Sequence, residues 1–342
     1  MKRTTHILLT LLAIPLLLLS SCRKKDNYSA YVQPAADRSK LNTLFAALRP
    51  APQSFPVIAG TAQTIFGDKG TRISFYTNSF RDSMGNIITG NVTVALVEMY
   101  TPGDMIASRA TTTTSDGQLL RSGGQVQVRA TYNGRDILVS KYGIGFMQSA
   151  ADNHPMALFY GNTLNTDSVS AWKIGAGGTG TTSTATVSLH DSTVVVVIGS
   201  TGFDTVTIMH QPANYYQFDS CVHFGWINCD AFFNSGTTLG DINVTVHGNQ
   251  FDPSNTEVFI VFPSINSVSH LGRYTAATQT FDLQDGYHVP TGMAAEIAVV
   301  SNVNGQYYYF QQTGLTTGAG MTVNAVMAPS TVSDILSHLS GL

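Results

Sequence analysis

The sequence predicts an all-β protein in which two or three β-sandwich units of the Ig-like kind follow a signal peptide and a short tether. Runs of alternating apolar and polar residues recur at roughly the spacing of sandwich strands. Asn-Gly pairs separate some neighbouring runs, and such a pair is the strongest short-range signal for a hairpin. No long stretch has a helical apolar period, so we expect short helices only in the tether and at the C-terminus.

Residues 1–21 have the pattern of a signal peptide. Two basic residues precede an apolar run over residues 7–19, and Cys22 follows two serines. A transmembrane helix fits poorly, because the run is shorter than the ~20 residues that span a bilayer and contains Pro15. An ordinary cleaved signal peptide leaves the position of Cys22 unexplained. The junction resembles the lipobox of bacterial lipoproteins, which implies lipidation of Cys22 and an outer-membrane location on the periplasmic or the surface-exposed face.

Residues 22–56 are predicted to be a lipid-anchored tether. The segment begins with a basic stretch and contains four prolines, which disfavour regular structure. One short helix is predicted over residues 39–48, where Ser39 can cap the N-terminus and four apolar side chains fall on one face.

Residues 57–200 are predicted to form an N-terminal β-sandwich region. Strands are predicted at 71–75, 91–100, 125–132, 136–141, 156–160, 169–174, 184–189 and 194–198. The pair Asn133-Gly134 predicts a hairpin between two of them. The Gly- and Thr-rich residues 175–183 are predicted to be a mobile loop.

Residues 201–342 are predicted to form a C-terminal β-sandwich region with a terminal short helix. Strands are predicted at 241–246, 257–262, 296–303, 307–311 and 322–327, and Asn304-Gly305 predicts a second hairpin. Ser330 can cap a helix that extends to Leu339. New units are expected to begin near Gly202 and Gly240, and the domain boundary between them stays open.

Four segments carry a family resemblance. They are Gly-Thr-Arg-Ile-Ser-Phe (70–75), Gly-Asn-Ile-Ile-Thr-Gly-Asn-Val-Thr-Val (85–94), Leu-Leu-Arg-Ser-Gly-Gly-Gln-Val-Gln-Val-Arg-Ala-Thr-Tyr-Asn-Gly (119–134) and Gly-Trp-Ile-Asn-Cys-Asp (225–230). Together they resemble uncharacterised β-rich surface lipoproteins of Bacteroidota, and the first part is distantly similar to the β-sandwich modules of ankyrins and netrin receptors. The resemblance implies the fold and no activity, because the family has none assigned.

The charge distribution argues against nucleic acid as a partner. Beyond Lys173 the chain has nine Asp and two Glu but one basic residue, Arg273, so this half is about ten units negative. Nucleic-acid affinity depends on Lys and Arg that neutralise phosphates. The acidic surface is expected to provide solubility, and weak Ca²⁺ binding by carboxylates is the alternative.

Several side chains are candidates for modification or binding. Cys221 and Cys229 could form a disulfide if the chain reverses near Gly225, or they could be buried thiols. Tyr215-Tyr216 and residues 307–310 could stack on sugar rings, with core packing as the alternative. Four Asp-hydroxyl-apolar triplets resemble O-glycosylation motifs, and their acceptors are Ser83, Ser168, Ser192 and Thr205.

The sequence contains no recognisable catalytic motif. It lacks the Gly-x-Ser-x-Gly elbow of hydrolases, the His-Glu-x-x-His zinc motif and an EF-hand loop; the stretch 282–286 is the nearest approach to such a loop and is predicted to be a turn. No catalytic residue, cofactor or metal ligand is therefore predicted. The favoured hypothesis is a non-enzymatic binding or structural role at the cell envelope, with a glycan or an envelope protein as partner. The alternative is an unrecognised hydrolase that acts on polysaccharide or peptide.

Overall fold

The protein is described by a computed structural model, which covers residues 39–147, 154–161, 172–174, 215–234, 236–284 and 286–342. These residues belong to one compact unit. Strands account for 53% of them and helices for 11%. The predicted all-β, sandwich-like class is therefore confirmed.

The strands of the N-terminal part are β1 (Gln53–Ile58), β2 (Gln63–Phe66), β3 (Arg72–Phe75), β4 (Phe80–Arg81), β5 (Asn91–Met99), β6 (Leu120–Tyr132), β7 (Arg135–Asp136), β8 (Leu138–Val139), β9 (Tyr142–Met147), β10 (Ala157–Gly161), β11 (Trp172–Ile174), β12 (Tyr215–Cys221) and β13 (Gly225–Phe232). The later strands are β14 (Leu239–Gly240), β15 (Ile242–Val246), β16 (Thr256–Phe262), β17 (Ser267–His270), β18 (Arg273–Thr275), β19 (Thr280–Asp282), β20 (Val289–Pro290), β21 (Ala294–Val303), β22 (Gln306–Thr316), β23 (Met321–Ala325) and β24 (Ala328–Ser330). The helices are α1 (Ser39–Leu48), α2 (Pro102–Ala107) and α3 (Val332–Leu339), and a 3-10 turn spans Pro263–Ile265.

The first sandwich has two main sheets. Sheet I has the strand order β1-β5-β6-β13-β10-β11, with β7 paired to β6, and sheet II has the order β12-β9-β3-β2. Apolar side chains from both inner faces form one core, to which Val94 and Val126 contribute from sheet I and Ile144 and Phe146 from sheet II. Alternate residues of these strands face this core because side chains alternate along a strand.

Strands β12 and β13 follow the predicted boundary at residue 200, yet they belong to the first sandwich. Strand β12 pairs with β9 in sheet II, and β13 lies between β6 and β10 in sheet I. Residues 175–214, which contain the predicted boundary and the strands predicted at 184–189 and 194–198, lie outside the described residues. The first sandwich therefore includes residues as far as Phe232.

The second sandwich is built from the later strands. Sheet III has the order β17-β16-β21-β22-β24, and sheet IV has the order β18-β19-β15-β23. Strands β15 and β23 are parallel, and the other neighbours in these sheets are antiparallel. The core between the sheets includes Val244 and Phe281 from sheet IV and Ile260 and Ile297 from sheet III.

A layer of helices joins the two sandwiches. Side chains of α1, α2 and α3 share one core with Val97 and Met99 on the outer face of sheet I and with Phe259 and Val261 on the outer face of sheet III. Strand β16 is consequently buried along its whole length, because the helices cover one face and sheet IV covers the other. This two-sided burial explains its unbroken apolar run, which is typical of strands covered on both faces.

The predictions for the helices are confirmed at the two ends of the described chain. Helix α1 occupies the predicted residues, and α3 begins at Val332 with Thr331, one residue after the expected cap, as its N-cap. Helix α2 was not predicted from the sequence. The sequence pattern that marks the start of α2 is a capping box, in which Thr101 and Asp104 hydrogen-bond each other's backbone. Pro102 occupies the first helical position.

A buried ion pair fixes the helical layer to sheet III. Arg109 Nη2 lies 2.7 Å from Glu257 Oε1, and the exposed fractions of the two side chains are 13% and 7%. The same guanidinium donates to Asn42 Oδ1 of α1 at 2.9 Å. Removing one member of a buried pair leaves an uncompensated charge, which typically costs about 3–5 kcal/mol. The pair therefore favours one arrangement of α1, α2 and β16.

Both Asn-Gly hairpins are confirmed. Asn133 and Gly134 have φ angles of 50° and 73°, and Asn304 and Gly305 have φ angles of 52° and 89°. Positive φ at both central residues is the signature of a type I′ turn, which matches the twist of the flanking strands.

We expect Gly134→Val and Gly305→Val each to destabilise the fold by about 1 kcal/mol or more, because a β-branched side chain is strained at positive φ. Urea unfolding followed by circular dichroism measures the change. Gly318→Val is the matched control, since a Cβ there meets no atom within 4 Å and the φ angle lies outside the left-handed region. Equal midpoints for all three variants would contradict the turn assignment.

Candidate functional site

The predicted modification sites are distributed between described and undescribed parts of the chain. Cys22, Ser168, Ser192 and Thr205 lie outside the described residues. Ser83 is exposed, in a turn whose Asp82 carboxylate accepts hydrogen bonds from the backbone of Met84 and Asn86. The turn would give a modifying enzyme access to the Ser83 hydroxyl, whose glycosylation stays a prediction.

The structure has no disulfide between Cys221 and Cys229, so the alternative of buried thiols applies. Cys221 lies in β12 of sheet II, and Cys229 lies in β13 of sheet I. Burial raises the pKa of the Cys221 thiol to about 12, against a smaller opposing effect of its hydrogen bond with Tyr160. A thiol with a raised pKa is a poor nucleophile.

The aromatic clusters pack against the protein rather than form an open platform. Tyr309 is buried and stacks on His338, with ring centroids 5.0 Å apart. Tyr308 packs edge-on against Phe251, and Tyr216 is 3% exposed. The core-packing alternative therefore describes these side chains better than the sugar-stacking one.

From the predicted turn at 282–286, Asp282, Leu283, Gln284 and Gly286 line a small cavity of about 250 Å³ beside β15 and β19. The Asp282 carboxylate is bound there by Arg273, and Asp241 Oδ1 lies 2.8 Å from Nδ1 of His288. Among the described residues, no three His, Cys, Asp or Glu side chains group in a way that could hold a metal ion. The Asp282 carboxylate therefore already forms an ion pair with the Arg273 guanidinium.

A larger cleft, of about 410 Å³, lies where the two sandwiches meet. The first sandwich contributes Tyr100, Arg121, Ser122, Gly123, Met147 and Tyr216, and the second contributes the turn Pro263–Asn266. Asn266 has a left-handed backbone, with φ of 50°. Its side-chain amide donates to the carbonyl oxygens of Tyr100 at 3.0 Å and Ser122 at 3.2 Å. The cleft is therefore bridged at its base by an interaction between the sandwiches.

A β-bulge of sheet I borders this cleft through Gly123. Asn228 pairs with Gln125 and Asp230 with Ser122, so Cys229 alone faces two glycines, Gly123 and Gly124. A Cβ on Gly123 would lie 3.0 Å from the carbonyl oxygen of Cys229, and one on Gly124 would lie 2.6 Å from the Tyr100 ring. Gly124 also has a φ angle of 124°, so this position requires glycine, whereas the contact at Gly123 is tight. Bulges redirect side chains and are frequent beside functional sites.

Asp230 lies next to this bulge, opposite Ser122, and is fully buried. Its carboxyl group accepts hydrogen bonds from Asn228, Ser122 and the backbone N–H of Gly123, while Oδ1 has no partner among the described residues. Burial raises the pKa of this carboxyl group well above its usual value, although the three hydrogen bonds oppose the shift. No cation of the described residues offsets this desolvation.

The cleft was not predicted from the sequence, although two features of the sequence indicate the bulge beside it. A Gly-Gly pair inside a strand pattern indicates a bulge, and Asn228 and Asp230 interrupt an otherwise apolar strand. Their meeting with Pro263–Asn266 depends on how the sandwiches pack, which no local pattern encodes.

Comparison with known proteins adds no family or function. No known family model matches the chain, and no curated protein has a significantly similar sequence. Within the described ranges, no helix combines the length and the apolar character needed to cross a bilayer.

The raised pKa of Asp230 makes stability depend on pH. The folded state keeps a proton that the unfolded chain releases above about pH 4, so the stabilising effect of the neutral carboxyl group is lost as pH rises. Each pKa unit corresponds to about 1.4 kcal/mol. We therefore expect Asp230→Asn to gain unfolding free energy relative to wild type between pH 4 and pH 8, measured by urea unfolding.

The exposed carboxylate of Asp219 provides the control. Asp219→Asn, measured over the same range, controls for the removal of one carboxyl group. A difference between Asp230→Asn and wild type that does not change with pH would show that Asp230 ionises in the fold as it does in the unfolded chain.

Proposed function

We propose that this chain is a membrane-anchored extracytoplasmic lipoprotein of the outer membrane that binds a partner at the cell envelope without transforming it. The main support for the binding role is the cleft at the junction of the sandwiches. Both sandwiches line it, the bulge borders it through Gly123, and Asn266 of the second sandwich hydrogen-bonds the backbone of Tyr100 and Ser122 in the first. A preformed concave site with a few placed polar groups is what ligand recognition requires.

The carboxylates of the described residues support a role without catalysis. Glu98 accepts hydrogen bonds from the backbone of Lys69 and Thr71 and so holds the turn between β2 and β3. Glu257 is paired with Arg109, and Asp282 with Arg273. These groups have structural partners, whereas glycoside hydrolysis needs two carboxyl groups facing one substrate.

The membrane anchor is supported by the lipobox-like junction at Cys22. The first described element after it is α1, which lies in the layer between the sandwiches. The tether would therefore connect to the described part of the chain at this layer.

A hydrolase is the second candidate, and Asp230 is the observation that favours it. A buried carboxyl group with a raised pKa beside a cleft is a typical general acid. The objection is position, because Asp230 lies behind Ser122 and does not line the cleft.

Lipid attachment is tested by metabolic labelling with a clickable fatty acid. The wild type should be labelled and recovered with membranes, whereas Cys22→Ser should lose the label because the thiol that carries the lipid is gone. Cys221→Ser, a buried thiol, is the control and should keep the label. Equal labelling of wild type and Cys22→Ser would refute the anchor.

The binding role is tested with the purified full chain in detergent, applied to glycan arrays and to panels of glycan and peptide substrates. Binding without turnover is the expected result. Turnover that disappears in Asp230→Asn but persists in Asp219→Asn would establish the hydrolase instead.

A further inference from the structure

An apolar patch, formed by Met84, Ile87 and Leu138, lies on the surface of the first sandwich where β4 pairs with β8. Leu138 and Ile87 pair with Arg81 from its two sides, so these three side chains form one row on one face. Met84 lies in the turn that joins Arg81 to Ile87. The exposed fractions of Met84, Ile87 and Leu138 are 82%, 53% and 52%. Single exposed apolar residues are ordinary, whereas a group of them marks a surface that contacts a protein or a membrane.

The patch is not part of the core of the sandwich. Phe80 and Val139 pair with each other in the same two strands, and both are buried in the core between sheets I and II. Because side chains alternate along a strand, the neighbouring Arg81 and Leu138 point away from this core. The patch is therefore the outer face of a pairing whose inner face is already packed.

Basic side chains surround the patch. Arg81 lies in the row itself, and its guanidinium donates to backbone carbonyl oxygens. These neutral partners leave the charge of the guanidinium uncompensated. Arg135 and Lys141 are exposed and lie three residues before and three residues after Leu138. The patch thus combines apolar side chains with three cations.

Two acidic residues lie near these cations, and one of them is neutralised. Asp136 is bound by Arg129 through two hydrogen bonds, of 2.7 and 2.8 Å. The Asp82 carboxylate accepts hydrogen bonds from backbone N–H groups of its own turn. Three cations therefore stand against one carboxylate outside an ion pair, and the surroundings of the patch are net positive.

The later half of the chain has the opposite charge. Beyond Lys173 it has nine Asp and two Glu against one basic residue, and this half includes the whole second sandwich. An anionic surface would repel this half and attract the surroundings of the patch. A membrane with acidic lipids matches both properties of the patch, because its headgroups attract Lys and Arg and the region beneath them accepts apolar side chains.

The length of the tether allows the patch to reach a membrane. Cys22 and Ser39, the first described residue, are 17 positions apart. A fully extended chain of this length covers about 60 Å. An anchored fold can therefore turn different faces towards the lipid, and the chemistry of its surface selects one of them.

We propose that the apolar patch docks on an anionic membrane surface, where Met84, Ile87 and Leu138 enter the headgroup region and the basic residues around them contact the lipid phosphates. This inference rests on the proposed membrane anchor, and it adds the face that the fold turns towards the membrane. A second copy of the chain is the competing occupant of the patch.

The test uses the full lipidated chain, reconstituted in vesicles of equal parts phosphatidylcholine and phosphatidylglycerol. Met84→Cys carries a nitrobenzoxadiazole fluorophore, and Val326→Cys, whose valine is 70% exposed next to β23 of the second sandwich, is the matched control. Cys221 and Cys229 are buried and stay unlabelled. We expect spin-labelled lipids to quench the fluorophore at residue 84 and not at residue 326. Equal quenching at both positions, or none at residue 84, would overturn the inference.

Variants of the patch test its two components. Leu138→Asp should remove the quenching at residue 84, whereas Leu239→Asp, which changes a leucine of 56% exposure outside the patch, should keep it. Arg135→Glu should weaken the quenching, and so should 1 M salt, since the Debye length falls from about 10 Å at 0.1 M to about 3 Å. Full quenching in Leu138→Asp, or equal quenching on vesicles of phosphatidylcholine alone, would contradict docking on an anionic surface.

Flotation of the vesicles separates failure of this inference from failure of the anchor. A chain that floats with the vesicles without quenching at residue 84 would overturn the docking and leave the anchor standing. A wild-type chain that does not float would refute the anchor and this inference with it. A dimer in detergent that Leu138→Asp dissociates, together with absent quenching, would assign the patch to a second copy instead.

Discussion

Two sheets of this protein must be covered on both faces, and the rest of the structure depends on this constraint. Sheets I and III each face a sandwich partner on one side and the helical layer on the other. Strand β16 shows the consequence most clearly, since it is buried from Thr256 to Phe262. Neither sheet could leave such a face in water without exposing a large apolar surface. The helical layer therefore forms a third core, which lies between the two sandwiches.

Buried polar groups beside this layer form hydrogen bonds between the two sandwiches. These bonds fix the position of one sandwich relative to the other. Thr112 Oγ1 lies 2.5 Å from Ser267 Oγ and also contacts the backbone of Val268. Thr113 Oγ1 lies 3.2 Å from Ser269 Oγ of β17. Buried hydrogen-bonding groups are costly when unpaired, so sliding one sandwich over the other would break these contacts. The turn Pro263–Asn266, which lines the cleft, directly precedes Ser267 in the chain. Its position in the cleft therefore depends on these contacts.

Local features of the fold could be predicted from the sequence, whereas the junction could not. Helix α1 was predictable because Leu41, Leu44, Phe45 and Leu48 repeat at helical spacing. The hairpins at Asn133 and Asn304 were predictable because turn chemistry is local. The assignment of β12 and β13 to the first sandwich depends on pairing with β9 and β6, whose paired residues lie 68 to 112 positions earlier in the chain. Alternation alone does not specify a partner strand. The cleft was missed because it forms only where the first sandwich meets the turn Pro263–Asn266 of the second.

The account therefore makes one central claim: the two sandwiches and the helical layer form a single cooperative unit, on which the cleft depends. Hydrogen exchange of the full chain across a urea series, read by mass spectrometry, tests it most directly. Peptides from β9 in sheet II and from β23 in sheet IV lie in the two outer sheets, on opposite sides of the layer. The account predicts that both lose protection at the same urea concentration, as a cooperative unit does. Separate midpoints, with one sandwich still protected while the other exchanges, would contradict it.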